Sequence, residues 1–112
     1  MICSFVDTHC HLNFQDFSTD VEHVIHAAQE RGIHTILSIC TKIDEMKDIL
    51  PIVQKYGNIF ATVGIHPHEA EATLKDFNIS QLSGWIREHA SHAKVIGIGE
   101  TGLDFYYEHS PR

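Results

Sequence analysis

A chain of 112 residues, 43% hydrophobic and 21% charged, has the size and balance of one small globular domain. No apolar run approaches the roughly 20 residues that cross a bilayer. The start, Met1-Ile2-Cys3-Ser4-Phe5, lacks the basic beginning and long apolar stretch of a secretory signal, so a cytoplasmic protein is expected. The net charge of −7, spread over both halves without a basic stripe, excludes a broad cationic surface for duplex DNA. If the chain acts on nucleic acid, bound cations must supply much of the attraction.

The first apolar run, Cys3–Val6, reads as a buried-type strand. It leads into Asp7-Thr8-His9-Cys10-His11. Residues two apart in extended chain point the same way, so His9 and His11 can aim both imidazoles at one point beyond the strand end. Imidazole is a common ligand for transition-metal ions, which makes this pair a metal hypothesis. Ten histidines in the chain also make close pairs by chance. Cys10 faces away from the two histidines and reads as a small buried apolar residue. Three cysteines without CxxC spacing argue against a disulfide framework and a zinc knuckle.

An amphipathic helix follows. Val21, Val24, Ile25 and Ala28 keep the i, i+3, i+4, i+7 spacing, Thr19 and Glu22 match a capping box, and Gly32 suits the C-terminal cap. The second strand is Thr35–Cys40. The second helix runs through Ile43, Met46, Leu50 and Val53, with Pro51 expected to kink or split it. The third strand is Ile59–Ile65. The third helix uses Ile79, Leu82, Ile86 and Ala90, with Trp85 beside the stripe and Asn78 or Ser80 as cap. The fourth strand is Val95–Gly99.

All four strands are short and almost continuously apolar, as parallel strands covered on both faces should be. The order β-α-β-α-β-α-β fits an open flavodoxin-like sheet or a (β/α)8 barrel. No linker, low-complexity segment or second domain is visible, and similarity between units is too faint for a repeat. Ser110-Pro111 would begin a further helix. A barrel takes about 250 residues, so residues 1–112 are expected to be a single partial domain; a complete small four-stranded domain is the alternative.

Each polar cluster follows a strand, where parallel α/β folds carry their ligand sites. Glu100 comes directly after Ile96-Gly97-Ile98-Gly99. A carboxylate there can hold one metal ion beside His9 and His11 or bridge two. Gly97, Gly99 and Gly102 let the backbone bend and approach a ligand. His66 and His68 flank Pro67; His66 is read as contacting substrate rather than metal, and His68 as functional or merely exposed. Asp7 and Asp104 are candidates for orienting a histidine ring. Phe105-Tyr106-Tyr107 reads as packing ahead of pocket lining or base stacking. His23, His26, His34, His89 and His92 read as surface or packing residues.

Asp7-Thr8-His9-Cys10-His11-Leu12, Gly64-Ile65-His66-Pro67-His68 and Ile98-Gly99-Glu100-Thr101-Gly102-Leu103-Asp104-Phe105-Tyr106, in this order, resemble the TatD family of metal-dependent hydrolases and deoxyribonucleases. The resemblance covers the whole chain. It implies the first half, roughly (βα)3β, of a (β/α)8 TIM-like barrel of the amidohydrolase-like superfamily. It implies two divalent ions (zinc, manganese, magnesium or nickel), with His9 and His11 on one, Glu100 bridging both, and His66 near the scissile phosphate. The family's remaining ligands, two histidines and an aspartate from later strands, have no positions here, and His109 is too close to the fourth strand to replace one. The implied reaction is hydrolysis of DNA phosphodiester bonds by a metal-activated water, strand ends or single strands being favoured. Hydrolysis of small-molecule esters or amides is the alternative, as is an inactive half-barrel that pairs with a copy of itself through its open edges. The isolated chain is expected to lack activity.

Overall fold

The computed structural model describes residues 3–112; Met1 and Ile2, read above for a signal sequence, lie outside the described residues. The elements are β1 (Phe5–Cys10), α1 (Val21–Glu30), β2 (Ile33–Ser38), α2 (Met46–Lys55), β3 (Ile59–Val63), α3 (Ala70–Asp76), α4 (Ile79–Ala90) and β4 (Val95–Ile98). Single 3-10 turns occupy Gln15–Phe17, Ile43–Glu45 and Pro67–Glu69.

The four strands pair in parallel in the order β1-β2-β3-β4. A doubly wound sheet reverses its strand order at a switch point. Here each new strand is laid beside the last, which is how a barrel wall is built. The open-sheet alternative is thereby set aside.

The core sits between the central strands and the helices. Ile36 from β2, Ile59, Ala61 and Val63 from β3, Ile25 from α1, and Met46, Ile49 and Val53 from α2 are all buried. The apolar stripes of α1 and α2 therefore meet β2 and β3, and Trp85 and Ile86 of α4 pack against the same cluster. The expectation of strands covered on both faces holds only for this middle. Phe5 and Val6 of β1 are 57% and 59% exposed, and Ile96 and Ile98 of β4 60% and 56%, because among the described residues no further strand pairs with their outer edges.

Local signals explain most boundaries. α1 stops at Gly32, whose φ of +87° favours glycine and whose amide bonds the Gln29 carbonyl. A Cβ on Gly32 would lie 2.6 Å from the Cys3 carbonyl oxygen. The Thr19–Glu22 capping box is not formed. A turn carries the chain to Asp20, which takes the cap position without a side-chain hydrogen bond, so Thr19 lies outside the helix. α2 is not broken at Pro51. The proline and Lys47, whose carbonyl loses its donor, are both exposed, so the lost bond leaves no buried polar group unpaired. The division falls earlier, at the 3-10 turn Ile43–Glu45. α4 begins at Asn78 with a complete capping box: Gln81 N–H donates to Asn78 Oδ1 (2.8 Å) and Asn78 N–H to Gln81 Oε1 (2.9 Å). α3 is an additional helix that the apolar pattern does not mark.

Candidate metal centre

β1 runs further than its apolar residues suggest, because its pairing with β2 continues to Cys10↔Ser38. His9 is thus a strand residue and His11 follows the strand end. The two rings meet edge to face, 5.1 Å apart. Cys10, between them, packs partly buried against the core, as expected, and burial raises its thiol pKa.

His11 is held on two sides. Its ring stacks on Phe14 at 4.4 Å, and its Nδ1 lies 3.1 Å from the Ile39 carbonyl oxygen. A carbonyl can only accept, so Nδ1 carries the proton and the Nε2 lone pair is free. Backbone support of this kind fixes the tautomer of a metal-binding histidine. Asp7 does not take that role: its Oδ1 accepts the His9 backbone N–H at 3.0 Å, a local contact where the strand's register shifts, and leaves the imidazole alone.

Glu100 reaches these histidines by a crossing. Leaving β4, the Gly99 N–H bonds the Val63 carbonyl at the end of β3 (2.9 Å), and the Glu100 N–H bonds the Cys40 carbonyl beyond β2 (2.7 Å). The segment therefore passes over the end of β3. It can do so because residue 64 is glycine: a Cβ there would lie 2.4 Å from Gly99 C, 2.6 Å from Gly99 O and 2.7 Å from Glu100 O. Of the glycines flagged by sequence, Gly97, Gly99 and Gly102 stand in less crowded surroundings, although Gly102 has a φ of +128°. Close approach is decided at Gly64.

The result is a compact donor set. One ligand atom each from His9, His11 and Glu100 lie within 4.8 Å of one another. Glu100 Oε2 is 3.6 Å from His9 Nε2, while Oε1 is 3.4 Å from His66 Nε2. Two imidazole nitrogens and a carboxylate are a fitting set for a divalent transition ion. His66 stands outside the set. Its Nδ1 accepts the His68 backbone N–H (3.0 Å), so in the neutral ring the proton sits on Nε2, facing Glu100. It is arranged to donate rather than to ligate.

Asp104 orients a histidine, but it is His68. One carboxylate oxygen pairs with His68 Nε2, and the other accepts the amides of Tyr106 (2.8 Å) and Tyr107 (3.1 Å). These bonds, the His68 contact first, hold the Asp104 carboxyl down to about 2. His68 is therefore engaged rather than idle. His109 packs on His68 (4.5 Å) and is not in the donor set. Phe105, Tyr106 and Tyr107 are 65%, 84% and 53% exposed in this chain, although Tyr107 packs on His68 and His109. They follow β4 after the last strand residue, and no element among the described residues covers them. With His66, His68 and Glu100 they line an open cavity of about 670 Å³.

Glu45 was not marked by the sequence. It is 5% exposed and accepts hydrogen bonds from Asn13 Nδ2 (2.7 Å) and from Thr41 Oγ1, tying the loop after β1 to the loop after β2. A glutamate at a helix start normally reads as a solvated charge, and its partner Asn13 lies 32 residues away, so no local signal marks it. His26 and His89 are peripheral as expected, on Glu30 and the Trp85 carbonyl.

Comparison with known proteins gives a consistent picture. The profile of the TatD related DNase family matches residues 6–112. The uncharacterized metal-dependent hydrolase YabD of Bacillus subtilis is 34% identical over 107 residues, covering 95% of this chain and 40% of the relative. Human deoxyribonuclease TATDN3 is 30% identical over 115 residues, covering 96% and 39%. The crystal structure of YjjV, the TatD homologue of Escherichia coli, superposes with a TM-score of 0.78 at 31% identity, covering 96% of this chain and 40% of that one. The chain thus spans about 40% of the length of the curated relatives it matches. The match over nearly every described residue, in sequence and in fold, makes this chain a member of the TatD related DNase family.

Proposed function

We propose that residues 1–112 form the first half of a TatD-like barrel and carry one side of a divalent-metal centre for hydrolysis of phosphodiester bonds in DNA. The observation that carries the reading is the convergence of His9, His11 and Glu100 within 4.8 Å. His9, His11 and Glu100 would hold a divalent ion, the histidines through Nε2. Glu100 turns one oxygen toward His9 and the other toward His66, so its carboxylate could serve a second ion as well. Zinc, manganese, magnesium and nickel are the candidate ions. When bound, such ions lower the pKa of a coordinated water and offset charge on phosphate oxygens.

The chain's own groups do the rest. The His11–Ile39 hydrogen bond keeps the His11 Nε2 lone pair aimed at the centre. His66 Nε2–H is placed to donate to a phosphate oxygen or to the departing oxygen. The remaining donors of the centre come from further strands of a longer protein or, in the isolated chain, from a second copy meeting the unpaired outer edges of β1 and β4. The family's DNase description and the chain's acidity favour single strands or strand ends over tight duplex grip. Among the described residues no helix is long and apolar enough to cross a membrane.

The test is titration with zinc and manganese of a longer protein carrying this chain, and of its Glu100→Gln variant. The expected result is near-stoichiometric binding with at least about tenfold weaker affinity in the variant. Equal binding by both, or none by either, overturns the assignment. Cleavage of a labelled single-stranded oligonucleotide by a longer protein carrying this chain, set against a panel of small esters and amides, separates the DNA reading from the small-molecule alternative.

A further inference from the structure

β2 lies between β1 and β3, so the chain leaving it has the β1 loop on one side and the β3 loop on the other. Three consecutive carbonyls of that chain, at Ile39, Cys40 and Thr41, each hold one residue of the candidate centre. The Ile39 carbonyl faces His11 Nδ1 (3.1 Å), the Cys40 carbonyl accepts the Glu100 N–H (2.7 Å), and the Thr41 carbonyl accepts the His66 N–H (2.7 Å). The segment itself gives the donor set no side chain. Ile39 and Cys40 are 5% and 0% exposed within this chain alone, so no further strand is needed to cover them.

The segment is tied down in turn. The Ile39 N–H donates to the Cys10 carbonyl (2.8 Å), and the Cys40 N–H to Thr62 Oγ1 (3.2 Å). The Cys40 thiol reaches the Gly64 carbonyl (3.4 Å). Thr41, at the far end, is held by Glu45: the threonine hydroxyl donates to one carboxylate oxygen, and Asn13 Nδ2 donates to the other. Asn13 is two residues beyond His11 and adjoins Phe14, whose ring stacks on His11. One carboxylate thus joins the loop that carries His11 to the segment that carries the His66 amide. A charge at 5% exposure, met by two neutral donors, is costlier to bury than an apolar side chain of the same size. In return it fixes direction: a carboxylate only accepts, so the Thr41 hydroxyl and the Asn13 amide must both turn toward it, and bonds to a charged acceptor are the stronger kind.

Resting on the proposed metal-centre reading, we infer that Ile39–Thr41 is the frame on which the centre is set, and that Glu45 is the positioning residue that locks this frame. Glu45 acts through others. Its hold on Thr41 sets the carbonyl that carries His66, and its hold on Asn13 sets the turn that presses Phe14 against His11. The geometry of the centre is thereby fixed by a side chain that touches neither ion nor substrate.

The test uses a longer protein carrying this chain and its Glu45→Ala, Glu45→Gln and Thr41→Val variants. Ring-nitrogen NMR of the metal-free proteins, at about pH 8 where an ordinary imidazole is neutral, should show one tautomer each for His11 and His66 in the parent. In Glu45→Ala both rings should move toward a mixture of tautomers, and in Thr41→Val the His66 ring should do so. Zinc affinity should fall about tenfold in Glu45→Ala. With bis(p-nitrophenyl) phosphate, kcat should fall about tenfold in both variants while KM stays within about twofold. Glu45→Gln, which can still bond both partners, should lie close to the parent. Parent-like ring signals and zinc affinity in Glu45→Ala, whatever its melting temperature, overturn the frame and leave Glu45 a tether for stability alone. Should Glu45→Ala fail to fold, Thr41→Val decides in the same way through the His66 ring and kcat. A parent that binds no zinc overturns the metal-centre reading, and the frame with it. A parent that binds zinc without cleaving the phosphodiester overturns the hydrolytic reading only, and the ring signals and zinc affinities still decide the frame.

Discussion

Gly64→Ala is the sharpest probe of how the centre is assembled. The added Cβ would meet Gly99 C at 2.4 Å, Gly99 O at 2.6 Å and Glu100 O at 2.7 Å. Unstrained carbon contacts lie at about 3.5–4.0 Å, so the overlap is about 1 Å, and it falls on backbone that has no rotamer to change. Overpacking costs about 1–3 kcal/mol, and backbone on backbone belongs at the upper end. For a domain of this size about 3 kcal/mol lowers the melting temperature by roughly 10–18 °C. The relief open to the protein is to lift residues 99–100 off β3. That breaks the Glu100 N–H bond to Cys40 and draws the carboxylate away from His9 and His11. Metal affinity should fall at least about tenfold. The assay is a thermal melt with and without metal, together with a zinc titration. Gly57→Ala is the control, because nothing lies within 4 Å of a Cβ there. A Gly64→Ala chain that melts with the parent and binds metal equally well would refute the crossing as the device that delivers Glu100.

Three further outcomes follow. Glu45→Ala strands Asn13 and Thr41 in a nearly closed site and should cost about 2–4 kcal/mol in a urea unfolding curve, with Glu45→Gln recovering part of it; a change within experimental error would show that the two loops are held otherwise. Asp104 has a folded-state pKa of about 2, below the ordinary 3.8. Its contribution is therefore fully present above the ordinary value and is lost as pH falls from about 4 through 2. The carboxyl carbon resonance should titrate near 2 in the parent and move toward 3.8 in His68→Ala, and an unmoved midpoint would remove His68 as the main cause. Gly84→Ala, exposed in the middle of α4 with no atom within 4 Å of the new Cβ, should stabilise by about 0.5–1 kcal/mol in the same unfolding assay, and destabilisation would contradict the open surroundings.

The strands and the three amphipathic helices were legible because burial imposes period and composition on them. Their limits were less so. The apolar run marked the first strand only as Cys3–Val6, yet Asp7, Thr8 and His9 belong to β1, an outer strand whose side chains are largely exposed and so need not be apolar. α3 has no buried residue and leaves no stripe to detect. Spacing could not decide between open sheet and barrel, since both use the same units and differ only in where each strand is laid. The residues His9, His11 and Glu100, which the fold brings together, were legible as candidate donors from type and position at strand ends. The path that brings Glu100 to them was not, because Gly64 is needed for a contact made by a segment 35 residues away, and sequence shows a small residue without showing what approaches it. Glu45 was hidden for a related reason: its charge suggests solvent, and only its partners explain its burial.

The donor set draws on residues 9, 11 and 100, from the two outer strands of a four-strand ladder. Their meeting depends on three separate registers, β1 on β2, β2 on β3 and β3 on β4. A slip of one residue in any of them turns a whole strand's side chains to the opposite face. Ion affinity is therefore a checksum on the alignment of the entire sheet. A substitution deep in β2 or β3 that stays folded but shifts one pairing would be silent to circular dichroism and visible at once in a metal titration. Selection for ion binding at the rim would then conserve alignment in strands that contribute no ligand.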